Sequence, residues 1–144
     1  MSEIMFHTCR PEDAEGLHKL IRNELGYTGI TVDEVRSSLE KMLSSDDYFT
    51  IAAGIGDEIC GYVSAVREVS LGAGEYYRVI GLAVKTESQG RGLGTALLTL
   101  AESNVKSNGA RLITLSSQFK RTEAHKFYEK LGYEKTSFAF KKYF

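Results

Sequence analysis

The chain has 144 residues, 42% of them hydrophobic and 26% charged, with a formal net charge of -1. That length fits one domain, expected over residues 1–144, and the balanced charge leaves no footprint for nucleic acid or an anionic membrane surface. No apolar run approaches the roughly 20 residues that cross a bilayer, so a membrane protein is not expected.

The start, Met1 to Phe6, lacks the basic and apolar regions of a secretion signal. A cytoplasmic protein is therefore expected, with Cys9 and Cys60 as reduced thiols. Residues 4–9 read as a strand, and Pro11 at a first helical position opens a helix to about Leu25. Ala14, Leu17, Ile21 and Leu25 share its core-facing side. Gly26 to Gly29 breaks the helix, and Thr31-Val32-Asp33-Glu34 reads as a capping box ahead of Val35, Leu39, Met42 and Leu43.

Strand formers follow. Tyr48 to Ala53 and Ile59 to Val66 make a hairpin about a turn at Gly54–Glu58. A third strand runs from Glu75 to Val84. The second half then alternates: a helix from Gly92 to Ser107 with Leu97, Leu100, Ala101 and Val105 inward, a strand from Arg111 to Leu115, and a helix from Thr122 to Leu131. Gly132 is its left-handed cap, and Tyr133 to Phe144 supplies one or two last strands. The order β-α-α-β-β-β-α-β-α-β-β implies an α/β fold: a mixed, mostly antiparallel sheet with one parallel pairing, flanked by helices.

The chemistry concentrates where the third strand meets the next helix. Leu82-Ala83-Val84 is followed by Gln89-Gly90-Arg91-Gly92-Leu93-Gly94-Thr95. Glycines let backbone N–H groups approach an anion, and a helix start adds free donors and partial positive charge. Lys85 and Arg91 add cations nearby. A dinucleotide fingerprint needs glycine where Thr95 stands, and no Gly-Lys-Ser/Thr of a Walker loop is present. Alone, the segment reads either as a phosphate cradle or as a tight turn capping a core helix.

About thirty residues downstream comes Thr122-Glu123-Ala124-His125-Lys126-Phe127-Tyr128-Glu129-Lys130-Leu131-Gly132-Tyr133. Gln89-x-x-Gly92-x-Gly94 with Ala124-x-x-Phe127-Tyr128-Glu129-x-Leu131-Gly132-Tyr133 closely resembles the GCN5-related N-acetyltransferase superfamily, and the element order extends the likeness over the whole chain. The resemblance implies acetyl-CoA as acyl-donor co-substrate. The strand ending at Val84 would splay from its neighbour near Arg111–Leu115, a V-shaped slot for the pantetheine arm. Leu82, Ala83 and Val84 would carry that arm, and the amides from Gln89 to Thr95 the pyrophosphate. The Leu82 N–H would polarise the thioester carbonyl, and Tyr128 would protonate the departing thiolate. The resemblance also implies a bulge near Ile80-Gly81.

Glu75, with Glu24 and Glu68 behind it, is the carboxylate candidate for a base, and a water relay would serve equally well. Arg121 stands where many relatives have asparagine, so that cofactor contact does not carry over. His125 reads as a half-buried hydrogen-bonding residue, and nothing resembles a metal site. Glu24 and Tyr27 are candidates to bind an ammonium. The reading is acetyl transfer to a primary amine of a small molecule in a ternary complex. Its rivals are protein N-terminal or lysine acetylation and a non-catalytic acyl-CoA-binding module. The aromatic C-terminal end (Phe138, Phe140, Tyr143, Phe144) allows a homodimer.

Overall fold

The structure, a computed structural model, describes residues 3–144 and divides into two compact units, one ending at Thr114 and one running Leu115–Phe144. The first unit contains β1 (Met5–Thr8), a 3-10 turn at Pro11–Asp13, α1 (Ala14–Leu25), α2 (Val32–Leu43), β2 (Tyr48–Ile55), β3 (Glu58–Ser70) and β4 (Gly74–Val84). A second 3-10 turn (Thr86–Ser88) and α3 (Leu93–Ser107) follow, and β5 (Ile113–Leu115) begins where this unit ends. The strands lie in the order β1-β2-β3-β4-β5, with β1 to β4 an antiparallel meander. Tyr77 N–H donates to the Leu112 carbonyl at 3.1 Å, where β5 joins β4. The expected α/β fold, mixed and mostly antiparallel with flanking helices, is the one observed. Among the described residues no helix is long and apolar enough to cross a membrane.

Local chemistry sets the helix ends. Pro11 opens the first turn, and the buried Asp13 carboxylate accepts from the Arg10 amide at 2.9 Å. α1 stops at Gly26, whose φ of 79° suits glycine. The capping box of α2 forms: Glu34 N–H donates to Thr31 Oγ1 at 3.1 Å, and Thr31 N–H donates to Glu34 Oε1 at 3.2 Å.

The register of β3 and β4 decides which residues face which helices. Ser64 pairs with Gly81 but Ala65 pairs with Val79, so Ile80 is an extra residue on β4. The expected bulge therefore exists, and it reverses the alternation. Tyr77 and Val79 before it share a face with Leu82 and Val84 after it, while Gly81 and Ala83 turn to the other side. That other side, with Ala52 of β2 and Tyr62 of β3, packs against Leu17, Leu20, Val35 and Leu39 of α1 and α2. The opposite face receives α3. A Cβ on Gly61 would stand 3.1 Å from Leu97 Cδ1 and 3.2 Å from the Ala83 carbonyl, so glycine there sets how closely α3 approaches.

Three sequence expectations need correction. Leu100 is only half-buried, whereas Leu93 and Leu98 are buried beside Leu97, Ala101 and Val105; the buried stripe of α3 is rotated and wider than expected. β5 starts at Ile113, not Arg111. Residues 133–144 form no strand, because alternating side chains supply the pattern but a strand also needs a partner ladder, and no strand pairing includes them.

The second unit is built on α4 (Thr122–Lys130). Its end is a glycine cap: Gly132 has φ 94°, and Tyr133 N–H donates to the Tyr128 carbonyl at 3.0 Å. The rings of Phe119 and Phe138 meet at a 37° tilt with centroids 5.6 Å apart, which brings the C-terminal segment against the residues before α4.

Candidate functional site

β4 ends at Val84 and the chain turns at once into the glycine-rich loop. Lys85 N–H donates to the Cys60 carbonyl at 2.8 Å, tying the turn to β3. The Gln89 side-chain amide donates to the Val84 carbonyl at 3.0 Å, folding the loop back over the strand end. Gly90 and Gly92 both lie in the left-handed region, at φ 79° and 78°, and Gly92 is the N-cap of α3. The first intrahelical bond runs from Ala96 N–H to the Gly92 carbonyl at 2.9 Å. The amides of Leu93, Gly94 and Thr95 therefore form the donor end of a 15-residue helix, the arrangement that suits a pyrophosphate. Of the two expected cations, Lys85 is paired with Glu58, while Arg91 stays exposed beside the loop.

No Cβ clash awaits a side chain at Gly92, so Gly92→Ala tests the backbone alone. The left-handed conformation costs a non-glycine residue about 1–2 kcal/mol. A free loop relaxes away from that conformation and ligand binding must restore it. Acetyl-CoA affinity, read by calorimetry, should fall roughly 5- to 30-fold.

Glu24, a candidate to bind an ammonium, is engaged at the turn into the loop. Its carboxylate accepts from the Thr86 hydroxyl at 2.9 Å and from the Thr86 amide at 3.2 Å, so the end of α1 clasps the turn leading into the loop. Tyr27, its expected companion, is 57% exposed. Replacing Glu24 by Ala should raise the KM for acetyl-CoA by a factor of about 2 to 10, since each exposed hydrogen bond contributes on the order of 1 kcal/mol. An unchanged KM with a raised amine KM would instead place Glu24 at the acceptor.

The other carboxylates are also engaged. Glu75 lies at the hairpin end of β4, its side chain 59% exposed and 3.5 Å from Arg67. Leu82 lies seven positions further along the strand, on the order of 20 Å away. The strand thus does not bring Glu75 and Leu82, both expected at the reacting thioester, together. Glu68 accepts from the Arg78 guanidinium at 2.6 and 2.8 Å and from the Tyr76 hydroxyl at 2.8 Å. Those bonds hold its carboxyl below the usual range, which makes it a weak base.

Tyr128 sits half-buried on α4 in the second unit, its ring 5.4 Å from Phe127 and 6.2 Å from Tyr133. Burial raises its phenol above the ordinary value, and the Arg121 guanidinium partly opposes the rise. It therefore stays protonated at neutral pH and is suited to donate a proton. His125 is half-buried, its Nε2 2.8 Å from the Gln118 carbonyl, as expected.

The sequence reading missed a cavity of about 150 Å³ above the β2–β4 face. Its floor is Tyr62, with the paired hydroxyls of Thr50 and Ser64 at 3.2 Å and the bulge residue Ile80; its roof is aliphatic, from α1 and α2. The sheet residues that line it beside Tyr62 and Ile80, Thr50 and Ser64, have small side chains. A Cβ on Gly81 would stand 2.5 Å from the Tyr62 hydroxyl, so the ring lies over the glycine. Burial, with lesser contributions from Tyr27 and Cys9, pushes the Tyr62 phenol up to about 12. The expected bulge near Ile80-Gly81 puts Gly81 on this face, but nothing local to β4 shows that Tyr62 of β3 lies over it.

Both cysteines are free and buried, and burial pushes the Cys9 thiol up to about 12. Neither is poised as a nucleophile.

A sequence model of the Acetyltransferase (GNAT) family matches residues 15–133. The chain is 31% identical over 136 residues to an aminoalkylphosphonate N-acetyltransferase of Salmonella typhimurium, covering 91% of this chain and 85% of that protein. Among solved structures it resembles glucosamine-6-phosphate N-acetyltransferase from Arabidopsis thaliana, with TM-score 0.84, 23% identity and 99% coverage of each chain. It also resembles the aminoglycoside N-acetyltransferase AAC(6')-Iy in complex with CoA, with TM-score 0.85, 17% identity, and 99% and 95% coverage.

Proposed function

This chain belongs to the GNAT acetyltransferase family, and we propose that it moves acetyl from acetyl-CoA to the primary amine of a small molecule by direct transfer in a ternary complex. The observation that carries this reading is the passage from the bulged strand β4 into left-handed Gly90 and Gly92 and the donor end of α3. The amides from Gln89 to Thr95 hold the pyrophosphate, with Arg91 beside them. The backbones of Leu82, Ala83 and Val84 line the pantetheine arm, and the Leu82 N–H polarises the carbonyl as it becomes an oxyanion.

The amine nitrogen attacks the thioester carbon and the tetrahedral intermediate expels the thiolate. Tyr128 donates its proton to that sulfur, and water removes the proton from nitrogen. With Glu75 distant along the strand and Glu68 held by Arg78, no carboxylate is assigned as base. Buried, protonated thiols support direct transfer over an acyl-enzyme. The family match spans the division at Thr114, which supports reading residues 1–144 as one acetyltransferase domain. Free thiols also support the expected cytoplasmic location. The relatives are named for an aminoalkylphosphonate, a glucosamine phosphate and an aminoglycoside, which supports a small amine acceptor.

Release of CoA thiol, followed across a panel of small amines and a lysine-containing peptide, tests the reading. Turnover confined to small amines is expected. Preferential turnover of the peptide would overturn it.

A further inference from the structure

Resting on the acetyltransferase reading, we propose that the cavity between α1, α2 and the β2–β4 face seats the acceptor, and that the acceptor is a primary amine with an uncharged hydrocarbon body of about benzene size. Three observations carry this. The first is position. Ile80, the bulge residue, lines the cavity, so the cavity meets β4 two residues before Leu82. An amine at its mouth is next to the strand segment assigned to the thioester, while its body points away under the helices.

The second is lining chemistry. Leu17, Ile21, Val35, Leu39 and Met42 form the helical side, and no residue lining the cavity carries a charge. The polar groups are the hydroxyls of Ser38, Thr50, Tyr62 and Ser64, and two of these bond to each other. An anionic group such as a phosphonate would be stripped of water there with no cation to meet it. The polar body of an amino sugar would find few partners for its many hydroxyls. Glu24, a candidate to bind an ammonium, does not line the cavity and is bonded to Thr86.

The third is size. At about 150 Å³ the space matches an apolar cavity that takes a benzene-sized group, equivalent to a phenyl ring or a five- to six-carbon chain. The small side chains of Thr50 and Ser64 line the sheet side of the space, and the aliphatic side chains of α1 and α2 supply the contact surface. The ammonium remains at the wet mouth, where it loses its proton before attack.

The test uses the whole chain saturated with CoA and titrates phenethylamine, n-hexylamine and 2-aminoethylphosphonate by calorimetry. The hydrocarbon amines should bind at least tenfold more tightly than the phosphonate. Ser38 is exposed at the cavity rim, so Ser38→Phe fills the space from outside the core and should weaken the hydrocarbon amines at least tenfold. Met42→Ala, which enlarges the roof, should shift preference toward longer chains. Tighter binding of the phosphonate, or hexylamine affinity unaltered in both variants, would overturn the proposal. CoA release assayed on the same samples separates the two readings. Binding that responds to Ser38 without any CoA release upholds the seat and removes the acetyl transfer.

Discussion

Tyr128→Phe should lower kcat about 100- to 10,000-fold, the range for losing a positioned proton donor, with little change in acetyl-CoA affinity. The substitution removes one oxygen and keeps the ring that packs against Phe127 and Tyr133, so the fold of α4 is retained. Glycine-capped helix ends depend on backbone bonds, and those around Gly132 are untouched. The pH dependence adds a second readout. Burial raises the phenol above its ordinary value near 10, so the protonated donor is fully present at lower pH and is lost only as pH rises through that elevated value. Wild-type kcat should therefore show no decline from this group between about pH 7 and 9. A Phe variant with wild-type kcat would remove Tyr128 from the mechanism and favour protonation of the thiolate by water.

Leu97→Ala should destabilise the protein by about 2–5 kcal/mol, the range for emptying a fully buried leucine site. For a chain this long that corresponds to a fall in Tm of roughly 10 °C. Leu97 has no exposed surface and reaches Gly61 on β3, so the cavity left behind has rigid walls. The same contact carries the donor end of α3, so residual folded protein should also bind acetyl-CoA more weakly. Leu100→Ala is the control on the same helix. Half-buried, it should cost no more than about 1 kcal/mol. Equal losses from the two variants would mean that the buried stripe of α3 is assigned to the wrong residues.

Much of the donor half was legible from residue order. Glycines at 90 and 92 ahead of an amphipathic helix announce a left-handed turn and a helix N-terminus, and both φ values lie where only glycine is comfortable. The capping box at Thr31 and the glycine cap at 132 were equally readable, because each is a local rule acting within a few residues. What failed was non-local. The alternation along β4 could be counted, but its phase depends on where Ile80 bulges against Ser64 and Ala65 of a different strand. Glu24 reads as a free carboxylate at a helix end until tertiary folding brings Thr86, sixty-two positions away, onto it. Tyr62 falls inside the Ile59–Val66 strand, and its position over Gly81 arises from cross-strand register. Tyr133 to Phe144 has the aromatic content of a strand, yet strand formation depends on a partner edge and not on composition alone.

The glycine loop as the seat of an acyl-CoA pyrophosphate is the claim on which the rest depends. Calorimetric titration of the wild-type chain and of Gly92→Ala with acetyl-CoA, and with a pantetheine thioester lacking the nucleotide and pyrophosphate, tests it most directly. Saturable acetyl-CoA binding that weakens roughly 5- to 30-fold in the variant is predicted, together with a truncated thioester whose affinity is low and indifferent to Gly92. Wild-type affinity for acetyl-CoA in the variant, or equal binding of the truncated thioester, would contradict it.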